Sequence, residues 1–252
     1  MKSIYRFKNL SNYKECIHLV TKKDISQDFG FSLALHTNEN PTAILKNRET
    51  IQQYFPNMKF VVANQTHSNN VSIIRDTKNR GWDSLDSAID NCDALITNQK
   101  GVMLTILTAD CVPILLFDPK EKVVSAIHAG WRGTADKIVY KTIQKMQQEF
   151  NSNPKDIIAG IAPSIGRCCY EVDWRVAKHF TDYIDVFDKV GDKYMLDLPL
   201  VNKKQLLDIG LLDDNIELSN ICTSCEVDEY FSYRKEQGCS GRFMSMIGMS
   251  IS

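Results

Sequence analysis

The sequence predicts one mixed-sheet domain of the α/β or α+β class. A chain of 252 residues lies within the size that one hydrophobic core can hold, and no internal repeat or Pro/Gly/Ser-rich linker divides it. Strand-like runs outnumber helical ones and alternate with them only in part, which favours a mixed sheet over a doubly wound parallel sheet. We therefore treat residues 1–252 as a single domain.

The middle of the chain is the most regular part. Apolar runs rich in β-branched residues predict strands at 58–63, 71–74, 101–107, 112–117 and 123–127. The last of these runs ends directly at the segment HAGWRG, residues 128–133. A helix is then predicted, with Thr134 as its N-cap and with apolar residues at helical spacing as far as Met146.

The second half continues in the same style. Further strands are predicted at 157–161, 194–198, 216–222, 230–233 and 242–249. Asp173 is a candidate cap for a helix over 174–180. Pro199 suits the first position of another helix, which ends at Gly210.

Composition and charge exclude several classes of protein. Hydrophobic residues make up 43% of the chain and charged residues 24%, as expected of a globular protein rather than a disordered one. The net charge of −1 offers no field of one sign to attract nucleic acid or an anionic membrane. Without an N-terminal signal peptide or an apolar run of about 18 residues, we expect a cytoplasmic protein with neither kind of partner. Its eight cysteines should then be thiols rather than disulfides.

Two histidines and one cysteine are candidate metal ligands. His67 and His128 follow predicted strands, and Cys111 lies between two others. Imidazole and thiolate both bind zinc, and a catalytic zinc site uses three protein ligands with the fourth position open. The alternative is that His67 lies on a surface loop, His128 packs under Trp131 and Cys111 is a core thiol. From the residues alone, both interpretations remain open.

Several segments, in this order along the chain, strongly resemble those of one known family. The most specific are NQTHS at 64–68, TADCVP at 108–113 and HAGWRG at 128–133. Further matches are Leu35-His36, Asn47-Arg48, GIAPSIGRCCYEV at 160–172, Cys222-Thr223, FSYR at 231–234 and Gly241-Arg242. Together they resemble the YfiH-like family, also called the laccase-domain or polyphenol-oxidase-like family, from about residue 30 to the end.

The resemblance implies a fold, a metal site and an activity. The fold is a four-layer α/β/β/α arrangement of mixed sheets, and the metal ligands are His67, Cys111 and His128. The implied activity is phosphorolysis of adenosine, inosine and methylthioadenosine, with deamination of adenosine. One branch of the family instead removes a wrong amino acid from a cell-wall precursor. Residues 21–33 lack the glycine-rich stretch of many members, which leaves the choice of substrate open.

The implied chemistry assigns roles to further residues. Zinc lowers the pKa of a bound water from about 15.7 to about 7, and Asp110 beside the metal ligand is a candidate proton shuttle. Guanidinium groups match phosphate in a bidentate fork, so arginines are candidates for a phosphate site, although an ordinary arginine is more often a surface ion-pair partner. Arg48 is the first choice because the resemblance includes it, and the others are Arg132, Arg167, Arg234 and Arg242. Gln65 could orient a ligand or the substrate base, or serve only in a turn.

The cysteines allow two further hypotheses. Cys111 could be a nucleophile with His128 as its base, but the presence of two histidines favours the ligand role. The segment Cys222-Thr223-Ser224-Cys225 resembles half of a zinc knuckle or a redox motif. A structural zinc would need two more ligands, and Cys168 and Cys169 are adjacent rather than spaced by two. We therefore expect no metal role for Cys225.

Three alternatives to the nucleoside enzyme are kept for comparison. A copper polyphenol oxidase is disfavoured, because such oxidases need many histidines in His-x-His pairs, and this chain has five histidines and no such pair. Copper could still occupy the site adventitiously, since affinity rises towards copper in the divalent series. A hydrolase of a cell-wall precursor is the second alternative, and a non-catalytic zinc-binding module is the third.

Overall fold

The computed structural model describes residues 4–238 and 240–251, so Cys239 lies outside the described residues. In chain order the strands are β1 (Ile4–Tyr5), β2 (Cys16–Thr21), β3 (Lys59–Val62), β4 (Val71–Ile73), β5 (Ala94–Thr97), β6 (Val102–Thr108), β7 (Val112–Asp118), β8 (Val123–Ala129), β9 (Ile158–Ile161), β10 (Glu171–Val172), β11 (Phe187–Val190), β12 (Lys193–Leu196), β13 (Ile216–Leu218) and β14 (Phe243–Met249). The α-helices are α1 (Lys8–Ser11), α2 (Pro41–Tyr54), α3 (Trp131–Ala135), α4 (Ile138–Phe150), α5 (Trp174–Ala177) and α6 (Leu198–Asp208).

Two mixed sheets contain most of the strands. The first has the order β1-β2-β14-β6-β3, in which only the β3/β6 pair is parallel. The second has the order β13-β9-β7-β8-β5-β4, with parallel pairs at its two edges and antiparallel pairs between them. A small antiparallel sheet, β10-β12-β11, lies apart from both. The prediction of mixed sheets is confirmed.

Three apolar cores define four layers. One core lies between the sheets, where residues such as Leu104 of the first sheet pack against residues such as Leu115 of the second. The outer face of the first sheet packs against α2 through Ile51, and the outer face of the second packs against α4 and α6. Every residue of β6, β7 and β8 is buried, because both faces of these strands are covered. The layers are helix, sheet, sheet and helix, as the resemblance implied.

The structure differs from two of the predicted elements. The helix expected to begin at Thr134 is interrupted, because Lys137 adopts a left-handed conformation with φ of 57° between α3 and α4. Thr134 is buried in α3 and accepts a hydrogen bond from Asn202 of α6. The segment 230–233 is not a strand, since Tyr230 N–H bonds to the Glu226 carbonyl and closes a turn. By contrast, Asp197 caps α6 as its first turn requires, by accepting from Leu200 N–H at 3.0 Å.

Arg48 of α2 is a structural anchor in the core. Its side chain is 1% exposed. The Nε–H donates to the Leu33 carbonyl at 2.9 Å, and Nη1 donates to the carbonyls of Gly81 and Trp82 at 2.7 and 2.6 Å. The guanidinium also lies 5.2 Å from the centre of the Trp82 ring. Arg48 therefore joins α2 to two loops, and these contacts favour a structural role over the predicted binding of phosphate.

No helix among the described residues is both long enough and apolar enough to cross a membrane.

We expect Arg48→Met to lower the free energy of unfolding by about 3 kcal/mol, because three buried carbonyls lose their donors. Arg175→Met is the matched control, since Arg175 is 87% exposed and should change stability by no more than about 0.5 kcal/mol. Urea unfolding measures both. Unchanged stability of Arg48→Met together with weaker phosphate binding would instead support the predicted role of Arg48 in binding phosphate.

Candidate metal centre and substrate pocket

The β7/β8 pairing of the second sheet and the loop after β3 of the first sheet bring the predicted ligands together. In the β7/β8 pair, Val112 is opposite Ala129, so Cys111 lies beside the end of β8. His128 is the penultimate residue of β8, and His67 follows β3 in a loop. Cys111 Sγ is 3.8 Å from His67 Nε2, and the candidate ligand atoms of all three residues lie within 4.8 Å of one another. A tetrahedral zinc ion holds nitrogen and sulfur donors about 3.5 Å apart, so this set could hold a metal ion.

Gly130 makes the close approach of the ligands possible. A Cβ atom at this position would lie 2.9 Å from His67 Cδ2 and 3.2 Å from Cys111 Sγ. Any side chain here would therefore push the two ligands apart. Gly130 has a φ of −71°, which any residue can adopt. Glycine is therefore required here because there is no room for a side chain, and not because of the backbone conformation.

The buried carboxylate of Asp93 organises the site. Asp93 Oδ1 is 2.7 Å from His128 Nδ1 and also accepts from the His67 backbone N–H at 3.0 Å. Oδ2 accepts from the backbone N–H and the hydroxyl of Ser68 at 2.8 and 2.7 Å, and from Thr66 N–H at 3.2 Å. One side chain thus orients the His128 ring and fixes the loop that carries His67. Such partners of a metal-ligating histidine set its tautomer and orientation.

Cys111 and His128 form a polarised pair. Burial alone would raise the pKa of the Cys111 thiol, but His128 and His67 lower it to about 6. Burial alone would lower the pKa of His128, but the Cys111 thiolate and Asp93 raise it to about 9. At pH 7 the metal-free pair is therefore a thiolate beside an imidazolium. Cys111 is ready to bind a cation, while His128 must first release the proton from Nε2.

The backbone is strained at two positions of the site. His67 has a φ of 60° and Asp110 a φ of 89°, both in the left-handed region that non-glycine residues rarely adopt. Neighbouring contacts hold both residues in place. Asp110 Oδ1 accepts from the Thr223 hydroxyl and Oδ2 from the Arg234 N–H, each at 2.7 Å. Strain of this kind is concentrated at functional sites.

A pocket of about 550 Å³ opens over the three ligands. Three aromatic rings line it, each with an arginine beside it. The guanidinium of Arg132 lies 4.4 Å from the Trp131 ring centre, that of Arg234 5.5 Å from Tyr170, and that of Arg242 5.7 Å from Tyr233. The volume falls within the range of small-molecule sites, and the lining combines flat apolar faces with positive charge.

The predicted site residues fall into two groups. The pocket is lined by His67, Asp110, Cys111, His128, Gln65, Arg132, Arg234 and Arg242. Gln65 also exchanges two hydrogen bonds with the Leu107 backbone, at 2.8 and 2.9 Å, so its amide is used in positioning the loop. Arg48 and Arg167 do not line the pocket, and Arg167 instead bonds to Asp188 at 3.1 Å.

Sequence reasoning missed several functional positions. Asp93 was not noted, whereas His36, Tyr170 and Tyr233 were noted only as parts of matched segments although they line the pocket. The one signal for Asp93 is a carboxylate directly before the buried strand β5. The β5/β8 register, with Ala94 opposite Ile127, places Asp93 opposite His128, and this pairing cannot be read from a single sequence.

Replacing Asp93 by asparagine should weaken zinc binding about 10–100-fold, because His128 and the His67 loop lose the charge that orients them. The nearby exposed Asp90 provides the matched control, and Asp90→Asn should leave the affinity unchanged. Competition with a chromophoric chelator measures both dissociation constants. Equal affinities in the two variants would contradict the role of Asp93.

In metal-free protein we expect Cys111 to react with iodoacetamide with a pH midpoint near 6, since the lowered pKa leaves the thiolate present above that pH and lost below it. Cys16 is the internal comparison, because burial raises its pKa to about 12. Peptide mass spectrometry follows each thiol separately. A Cys111 midpoint above pH 8 would show that the thiolate–imidazolium pair does not form.

Comparison with known proteins agrees with this architecture. A family model described as multi-copper polyphenol oxidoreductase laccase matches residues 21–250. Purine nucleoside phosphorylase YlmD of Bacillus subtilis (strain 168) is 36% identical over 250 residues, covering 94% of this chain and 90% of that protein. The crystal structures of YlmD from Geobacillus stearothermophilus and of hypothetical protein YfiH from Bacillus licheniformis superpose with TM-scores of 0.93 and 0.92. Each is 29% identical and covers 99% of this chain and 97% of its own. The chain therefore belongs to this laccase-like family, the YfiH-like family that its sequence resembles.

Proposed function

We propose that the chain is a zinc-dependent purine nucleoside phosphorylase acting on adenosine, inosine and methylthioadenosine, and that it also deaminates adenosine. The observation that carries the proposal is the convergence of three candidate metal ligands, aromatic faces and arginines in one pocket. Support also comes from relatives named purine nucleoside phosphorylase, at 36% and 32% identity. Transfer of the ribosyl group, or of the methylthioribosyl group of methylthioadenosine, to phosphate would release the free base and the corresponding sugar 1-phosphate.

The donor set is better suited to zinc than to a copper oxidase centre. One thiolate and two imidazoles, with space for a further ligand in the pocket, are typical of catalytic zinc. When bound, the ion would act as a Lewis acid. The family description names copper, but five histidines without a His-x-His pair do not supply several copper centres. Copper would remain an adventitious occupant.

The pocket side chains have distinct proposed tasks. Trp131, Tyr170 and Tyr233 would hold the flat purine by stacking and by excluding water. Arg132, Arg234 and Arg242 would bind phosphate, because they are the predicted arginines that face the pocket. These aromatic–arginine pairs match a nucleoside and an anion better than they match a cell-wall peptide, which stays the alternative substrate.

Asp110 has a different proposed task from the one expected. Both carboxylate oxygens accept hydrogen bonds, one from Thr223 and one from the backbone of Arg234. We therefore assign it to positioning the arginine-bearing loop. Asp93 would hold the proton on Nδ1 of His128, so that Nε2 stays directed at the Cys111 side of the pocket.

The test is turnover of adenosine by the zinc-loaded protein, with and without phosphate, followed by chromatography of adenine, inosine and hypoxanthine. We expect phosphate-dependent release of adenine and phosphate-independent formation of inosine. Cys111→Ala should lose both by at least about 100-fold, because a metal ion supplies several kcal/mol of charge stabilisation. Cys16→Ala, which removes a buried thiol outside the pocket, should retain both.

Three outcomes would contradict the proposal in different ways. Zinc binding without turnover of any of the three nucleosides, with release of an amino acid from a cell-wall precursor, would favour the hydrolase. Oxidation of a phenol by copper-loaded protein at a comparable rate would favour the oxidase. Unchanged nucleoside turnover in Cys111→Ala would exclude the metal centre as the reaction site.

A further inference from the structure

Four cysteines outside the pocket converge at a second place in the fold. Cys168 and Cys169 lie in the loop between β9 and β10, and Cys222 and Cys225 lie in the loop after β13. Cys225 Sγ is 3.5 Å from the sulfurs of both Cys168 and Cys169, and all four sulfurs lie within 4.8 Å of one another. This proximity argues against the expectation that Cys225 has no metal role. Cys168 and Cys169 can both contribute to a cluster although they are adjacent in sequence, because the turn they occupy directs both sulfurs towards Cys225.

The backbone holds the two loops side by side. Ser164 and Cys222 form a parallel bridge, in which Ser164 N–H donates to the Ile221 carbonyl at 3.3 Å and Thr223 N–H donates to the Ser164 carbonyl at 3.0 Å. Tyr170 and Cys169 both donate to the Gly166 carbonyl at 3.0 Å, which closes the turn that carries Cys168. The convergence of the sulfurs therefore follows from main-chain pairing.

Gly166 shapes the space around the sulfurs. Its N–H donates to Cys222 Sγ at 3.2 Å, the kind of hydrogen bond that favours a thiolate. A Cβ atom on Gly166 would lie 3.2 Å from Cys222 Cβ and 3.5 Å from Cys168 Sγ. A side chain at this position would thus require Cys222 to move by a few tenths of an ångström, and the Gly166 N–H supplies a donor to the same cysteine.

The spacing fits one cation with four sulfur ligands. A zinc–sulfur bond of about 2.3 Å in a tetrahedron places the sulfurs about 3.8 Å apart, close to the 3.5 Å observed for two of the pairs. An iron–sulfur cluster contains several metal atoms and requires ligands spread more widely. A disulfide needs a sulfur–sulfur distance of about 2.05 Å, and Cys225 is equally far from two candidate partners. A single thiophilic ion accounts for all four sulfurs.

We propose that Cys168, Cys169, Cys222 and Cys225 bind one zinc ion in a four-thiolate site distinct from the His67/Cys111/His128 centre. With four protein ligands such a site is closed to substrate and structural in role.

The loops that would be joined are walls of the pocket. Ile165 and Tyr170 of the first loop line it, and Thr223 of the second donates to Asp110. Arg234 Nη1 also donates to the carbonyl of Glu171 at 3.0 Å. A metal ion joining the two loops would therefore stabilise the placement of Tyr170 and Arg234.

The test is the zinc content of purified protein together with X-ray absorption at the zinc edge. Wild-type protein should bind about two zinc ions per chain, and Cys225→Ser and Cys168→Ser about one. Cys16→Ala is the matched control and should keep about two. Cys111→Ala leaves the four-cysteine site intact, so its remaining zinc should show a shell of about four sulfurs at about 2.3 Å. This last measurement does not depend on the folding of the cluster variants.

Two results would overturn the proposal. One is a zinc content in Cys225→Ser equal to that of wild type, and the other is a nitrogen-containing shell, or no zinc, in Cys111→Ala. Neither depends on nucleoside turnover, so failure of the proposed function would leave this test unaffected.

Discussion

The candidate metal centre depends on one buried carboxylate. Asp93 is fully buried, and its oxygens bond to the ring of His128 and to the backbone of residues 66–68. Burial alone would raise its pKa, but His128 and Ser68 lower it to about 2. Because the pKa lies below its usual value of about 3.9, the charge stabilises the fold above that pH and is lost as the pH falls through 2. The same interaction thus contributes to stability and to ligand geometry.

The pocket is made by loops that strand ends hold in place. Strands buried on both faces give a rigid frame, and the strained residues His67 and Asp110 lie just beyond it. Asp110 is held in turn by the loops that carry Thr223 and Arg234. A four-thiolate zinc site would join two loops of the pocket wall. One metal ion would then take part in the reaction, and the other would stabilise the loops around it.

The arginines illustrate the difference between residue type and placement. Arg48 and Arg242 both belong to matched segments and carry the same guanidinium. Arg48 points inward from α2 and satisfies three main-chain carbonyls, whereas Arg242 precedes β14 and reaches the pocket. Helical spacing places Arg48 on the same buried face as Ile44 and Ile51. This spacing favours a buried structural role, but the sequence prediction followed the family pattern instead.

The sequence by itself predicted the mixed-sheet class and most central strands, because apolar periodicity is a local property. From the residues alone the three candidate metal ligands stayed open, and it was the resemblance to a family that singled them out. Two predicted elements were wrong. The helix expected from Thr134 is interrupted by the left-handed residue Lys137, and the strand expected at 230–233 is replaced by a turn. Only the tertiary structure decided that Asp93 contacts His128, that Arg48 bonds to buried main-chain carbonyls, and that four cysteines meet. Each of these contacts depends on strand register or on the pairing of distant loops. Such long-range contacts have no local sequence pattern from which they could be predicted.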